Sequence, residues 1–114
     1  MNSLFAIKSQ SANAPTDATF VVSINGEHRV FNGHFPGNPV LPGVMSMLIV
    51  RRCAEQILGI KSYFASVKEI KYLQPIIPNG TDISVHISCA DKVVSAHIDD
   101  AEGNALMKMK GTLA

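Results

Sequence analysis

An α+β domain, with one long helix wrapped by an antiparallel sheet, is the fold class the sequence predicts. Three observations lead there. Only one segment, Val44 to Leu58 (VMSMLIVRRCAEQIL), has helical length and a helix stop, because Gly59 follows it as a C-cap. After that glycine the apolar period changes from helical to alternating, and it stays so to the end of the chain. The 114 residues suffice for a single small domain, which buries only about 65% of its unfolded surface and has a modest core.

Taken in order, the first 18 residues are read as a variable N-terminal segment of a single domain over residues 1–114. Thr19 to Ile24 (TFVVSI) alternates Phe20, Val22 and Ile24 against Val21 and Ser23. Asn25-Gly26 then reads as the turn of a first hairpin. The helix follows, and its first half is apolar nearly all round, so something must cover it. Tyr63 to Leu73 supplies a long strand that ends at a turn over Pro75 to Gly80. Thr81 to Cys89 (TDISVHISC) sets Ile83, Val85, Ile87 and Cys89 on one face and Asp82, Ser84, His86 and Ser88 on the other, the pattern of a half-buried strand. Lys92 to Ile98 and Ala105 to Leu113 continue the alternation, joined by a hairpin loop over Asp99 to Asn104. The sequence holds no internal repeat and no low-complexity linker.

Composition excludes several function classes. Ten Lys and Arg against nine Asp and Glu give a formal charge of +1 without a block of like charge, so neither nucleic acid nor a membrane surface is an expected partner. No segment approaches the ~18 apolar residues of a membrane span. The start MNSLFAIK has its lysine on the wrong side for a signal peptide. A cytoplasmic protein is expected, with Cys53 and Cys89 as reduced core thiols. His28, His86 and His97 lack metal-ligand spacing, so no metal is expected.

The chemistry concentrates in GHFPGNPVLPGVM, Gly33 to Met45. Pro36, Pro39 and Pro42 fix their own φ and bias the residue before each toward extended backbone, which holds His34 in a stiff frame. Gly43 opens the helix, where unpaired N–H groups and the positive end of the macrodipole converge. An imidazole beside such donors can take a proton α to a carbonyl while the donors hold the enolate oxygen. Read from the residues alone, a Pro/Gly-rich loop with an incidental hydrogen-bonded histidine stands as the alternative.

GHFPGNPVLPGV resembles the active-site signature of the β-hydroxyacyl-acyl-carrier-protein dehydratases, hot-dog-fold enzymes of fatty-acid and polyketide- or polyene-type synthesis. YFASVKEIKYLQPIIPNGTDI, Tyr63 to Ile83, resembles that family's next block. The resemblance implies a helix wrapped by a sheet and a dimer with active sites at its interface. It puts His34 on the catalytic base and Gly43 on the residue whose backbone N–H polarises the thioester carbonyl. Phe35, Pro36, Leu41, Val44 and Leu48 are then expected to contact substrate. It also implies a substrate carried on the phosphopantetheine of acyl carrier protein, with no cofactor of the chain's own.

One position departs from the pattern. The family's Glu or Asp lies fourteen residues after the histidine, and here that residue is Leu48. Glu55 is seven residues further on, about 10 Å along the helix, and does not stand in for it. Leu48 continues a stripe with Arg51, Arg52 and Glu55 on the helix's only polar face. A dehydratase working as a homodimer or higher oligomer, or as half of a heterodimer whose other hot-dog chain brings the acid, is the expected function. A non-catalytic acyl-carrier-binding subunit and a hot-dog acyl thioesterase are the alternatives. Arg29, Arg51, Arg52, Lys68, Lys71, Lys108 and Lys110 could form a mildly basic rim for an acidic carrier. Met45, Met47, Met107 and Met109 could line an acyl tunnel or simply fill the core.

Overall fold

A computed structural model describes residues 4–14, 16–31, 40–78 and 80–114. Among these residues one α-helix, α1 (Gly43–Leu58), lies on a sheet of six strands: β1 (Phe5–Ala14), β2 (Asp17–Ile24), β3 (Phe64–Tyr72), β4 (Ile83–Ala90), β5 (Val93–Asp99) and β6 (Ala105–Leu113). The spatial order is β1-β2-β4-β5-β6-β3, every neighbouring pair antiparallel. This is the hot-dog fold.

The alternation in the sequence decides which face is core. Phe20 and Val22 of β2, Val85 of β4, Val94 and Ile98 of β5 and Met107 of β6 are fully buried. Against them α1 sets Ser46, Ile49, Val50, Cys53 and Ala54, a stripe spaced at three and four residues. Ser46 is the one buried polar side chain among the described residues, and its hydroxyl donates to the Gly43 carbonyl at 2.6 Å. Gly59 closes the helix at φ 72° and donates its N–H to the Glu55 carbonyl at 2.8 Å, as its place after Leu58 predicts. Cys53 and Cys89 are unpaired and buried, and burial pushes the Cys53 thiol up to about 12.

One expectation needs correction. The hairpin at Asn25-Gly26 does not form, because Asn25 Oδ1 accepts the Glu27 N–H at 3.0 Å and the chain then enters a short 3₁₀ turn, Arg29–Phe31. Both neighbours of β2 come from elsewhere, β1 before it and β4 far downstream. The N-terminal segment supplies β1. Its alternation is broken by register shifts between Ile7 and Ser9 and between Ala12 and Ala14, so only Phe5 and Ile7 read as inward-facing. The expected hot-dog arrangement of helix and sheet is present, and among the described residues part of α1 stays open. Val44 remains 66% exposed, and Leu58, Ile60 and Tyr63 are exposed where the helix runs on toward β3.

The two sheet edges differ in character. β1 shows Lys8, Ser9, Gln10 and Ser11 to solvent, whereas the outer strand β3 exposes Val67 and Tyr72 beside a free row of backbone groups. β3 is held to β6 at a tight point. A Cβ at Gly111 would come 2.9 Å from the Ser66 carbonyl oxygen and 3.1 Å from the Phe64 ring. Gly111→Ala is therefore expected to destabilise the protein by about 1–3 kcal/mol, read as a lower urea midpoint at unchanged slope.

Candidate active site

Leu41 marks the point where the signature meets the core. Its N–H donates to the Ile76 carbonyl at 2.8 Å and its side chain is buried. Two residues later α1 begins. Pro42, the N-cap, has φ −57° and ψ 143° and gives no side-chain cap. Its carbonyl accepts from Met45 at 2.9 Å and Ser46 at 3.4 Å, which leaves the N–H groups of Gly43 and Val44 without a partner among the described residues. These donors sit at the positive end of a 16-residue helix.

Gly43 borders a cleft of about 380 Å³ formed with Leu41, Ser46, Tyr72, Ile76 and Leu106. Tyr72 is one of the residues of this cleft that the sequence did not reveal. A Cβ at position 43 would lie 2.6 Å from both the Tyr72 hydroxyl oxygen and its ring Cζ, so glycine is what allows the ring to close over the helix end. The pairing of β3 with β6 sets this approach, since Tyr72 lies opposite Met107 at the end of the ladder. Nothing local to the motif encodes it.

Leu48 opens on different space. It lines a groove of about 1020 Å³ with Leu4, Phe5, Ile7, His28, Arg52 and Glu55, between α1 and β1. The stripe expected from sequence is thus present in Leu48, Arg52 and Glu55, while Arg51 is not part of this groove. Glu55 is occupied: it accepts the Ser62 N–H at 2.7 Å and lies 4.0 Å from Arg52 Nε. Leu41 and Gly43 therefore come together in one cleft, Leu48 lies in another, and Val44 is exposed beside the helix end. His34, Phe35 and Pro36 lie outside the described residues.

The other expected features separate. Met107 and Met109 are core, whereas Met45 and Met47 are partly buried on the helix and remain at the margin of the core. Of the basic rim, Lys71 is paired with Glu69 at 3.0 Å, which holds the Glu69 carboxyl below its ordinary value. His86 and His97, far apart in sequence, stand side by side on the sheet face away from α1. The signal was a tight β4–β5 turn, but Asp91-Lys92 is not a dipeptide that announces one.

An activity test of Gly43 follows from the N-cap geometry. Pro42 already has the extended backbone that a following proline requires, and proline suits the first helical position. In a Tyr72→Ala background, which clears the space for a side chain, Gly43→Pro removes the N–H. It is expected to lower dehydratase kcat about 10²- to 10³-fold relative to Gly43→Ala in the same background.

Comparison with known proteins bears on the family and the fold. A family model described as ApeI-like, ApeI dehydratase, matches residues 9–110. The 3-hydroxyacyl-acyl-carrier-protein dehydratase FabZ of Levilactobacillus brevis is 30% identical over 93 residues, 74% of this chain and 61% of the relative. That of Lactococcus lactis is 40% identical over 70 residues, 54% of this chain and 44% of the relative. The chain spans about half the length of the curated relatives it matches. Among solved structures, the dehydratase heterocomplex ApeI:P from Xenorhabdus doucetiae superposes with a TM-score of 0.83 at 22% identity over 96% of both chains. An uncharacterised Erwinia carotovora protein gives 0.79 at 24% identity over 100% of this chain and 97% of its own. A hypothetical thioesterase of Streptococcus pneumoniae, solved with coenzyme A, gives 0.68 at 14%, over 96% of this chain and 83% of its own, a likeness of fold. With a family match over residues 9–110 that takes in the helix, β2 to β5 whole and part of β1 and β6, this chain belongs to the ApeI-like dehydratase family.

Proposed function

We propose that the chain eliminates water from 3-hydroxyacyl thioesters delivered on the phosphopantetheine of an acyl carrier protein, as one half of a two-chain active site. His34 takes the proton from C2, the electrons form the enolate, and the Gly43 N–H holds the thioester oxygen as its charge grows. The C2–C3 double bond then forms as hydroxide leaves C3 with a proton from an acid. The chemistry needs no cofactor of the chain's own and suits a cytoplasmic protein. The observation that carries this reading is the split between the two clefts: the helix end, whose first N–H groups have no partner among the described residues, faces one, and Leu48, in the place of the family's acid, faces the other. A carboxylate for C3 has to come from a partner.

The partner proposed is a second hot-dog chain, joined through the exposed β3 edge and covering the apolar surface that Val44, Leu58 and Ile60 leave open. The neighbouring fold in the Xenorhabdus heterocomplex supports two unlike chains. The test is loss of water from 3-hydroxyacyl-acyl carrier protein, followed by mass spectrometry, for this chain alone and mixed with a hot-dog chain that bears Glu or Asp at the position of Leu48. A rate at least about 10²-fold higher in the mixture supports the reading. Equal rates, or none in either, contradict it. The second reading is a non-catalytic acyl-carrier-binding subunit, favoured by Leu48 itself; it is the one left if the mixture is inactive.

A further inference from the structure

We propose that the sheet face opposite α1 carries a binding site for one divalent cation of the zinc class, held by His86 Nε2, His97 Nε2 and an Asp99 carboxylate oxygen. The site begins with the turn between β4 and β5. Asp91 and Lys92 both have positive φ, 52° and 66°, the backbone of a two-residue type I′ hairpin. That turn sets Ala90 opposite Val93, and the ladder then brings His86 opposite His97 on the outward face. Asp99, two residues along β5, turns to the same face.

The spacing suits a small borderline cation. Zinc bonds of 2.0–2.1 Å at tetrahedral angles put ligand atoms about 3.3 Å apart. Here Asp99 Oδ2 lies 3.2 Å from His86 Nε2 and 3.7 Å from His97 Nε2, and all three ligand atoms fall within 4.8 Å of one another. The imidazoles are stacked, with centroids 4.4 Å apart and planes 17° from parallel. Seating a cation in the plane of both requires the His97 ring to turn about its Cβ–Cγ bond, and its side chain is 45% exposed, with room to do so.

The surroundings set the protonation that ligation needs. Thr19 Oγ1 lies 3.2 Å from His86 Nδ1, so with Nε2 on a metal the Nδ1 proton is donated to the hydroxyl, which fixes ring and tautomer. Lys108, opposite His97 on β6, opposes a cation, and Asp99 supplies the balancing charge. Two imidazoles and one carboxylate select zinc, nickel or copper over magnesium or calcium, which favour all-oxygen sets. The ligands lie in and beside a depression of about 410 Å³ that stands away from both clefts of the candidate active site, so the proposal does not depend on dehydratase activity.

Zinc chloride titrated into the full chain against a chromophoric chelator tests it. One equivalent bound at micromolar affinity or tighter is expected, with melting raised by about 5 °C or more at saturation. His86→Ala and His97→Ala should each weaken binding at least about tenfold and abolish the melting shift, and Thr19→Val should weaken it about tenfold. His34→Ala and His28→Asn should bind as the parent does. Asp99→Asn keeps the volume of the ligand and serves if either histidine variant misfolds; it too should weaken binding. No saturable zinc binding, binding that survives loss of these ligands, or equal binding of magnesium or calcium would overturn the proposal.

Discussion

His34→Ala is expected to remove proton transfer at C2 while leaving assembly and melting nearly unchanged. The imidazole is the only base the signature offers, and loss of a positioned general base typically costs 10²- to 10⁴-fold. Among the described residues the core that holds the fold is built largely from β2, β4, β5, β6 and one stripe of α1. Water loss from 3-hydroxyacyl-acyl carrier protein, measured for the two-chain assembly with and without the substitution, checks this. Activity within about tenfold of the parent would place the base on another residue. A collapse of the melting curve would instead assign His34 to structure.

Leu48→Glu is expected to act in the opposite direction, raising dehydration by the homodimer. A well-placed general acid contributes 10²- to 10⁴-fold, so a gain near the lower end is the expected outcome. The groove is prepared to accept the carboxyl, because Leu48 is only half-buried there and shares the space with His28, Arg52 and Glu55. The same neighbours limit the gain. Arg52 lies one helical turn on and attracts the new carboxylate, which lowers its pKa and leaves less acid form at neutral pH. The gain should therefore be larger at lower pH, and larger again when Arg52→Gln is added. A folded Leu48→Glu homodimer with no gain across several chain lengths would favour the carrier-binding subunit.

How much was legible depended on whether the determinant was local. Gly59 as a C-cap, Gly43 as the helix start and the inward set Ile83, Val85, Ile87 and Cys89 each follow from a few adjacent residues, and each is seen. The Asn25-Gly26 dipeptide suggested a hairpin for an equally local reason. It failed because the edge that such a hairpin would use is taken by β1, and no residue near Asn25 reports that. β1 itself escaped because two register shifts break its alternation. At the candidate site the motif identified Gly43, but Tyr72 over the helix end depends on the β3–β6 register, far along the chain. The meeting of His86 with His97 is an intermediate case, since it needs the length of one turn and no more. That Leu48 and Gly43 open on separate clefts follows from their five-residue separation on a 3.6-residue helix, together with which face the sheet covers.

Exchange of hydrogen at C2 measured beside loss of water, for the unpartnered chain in deuterated water with a 3-hydroxyacyl thioester, separates base from acid directly. On the proposed mechanism His34 and the Gly43 N–H form and reprotonate the enolate, whereas departure of the C3 hydroxyl draws on a carboxyl from the partner. Deuterium should enter C2 faster than water is lost, by about 10²-fold or more, and an acid-bearing partner should close that gap. Water loss that keeps pace with exchange in the chain alone, or no exchange at all, would contradict a catalytic base without its acid.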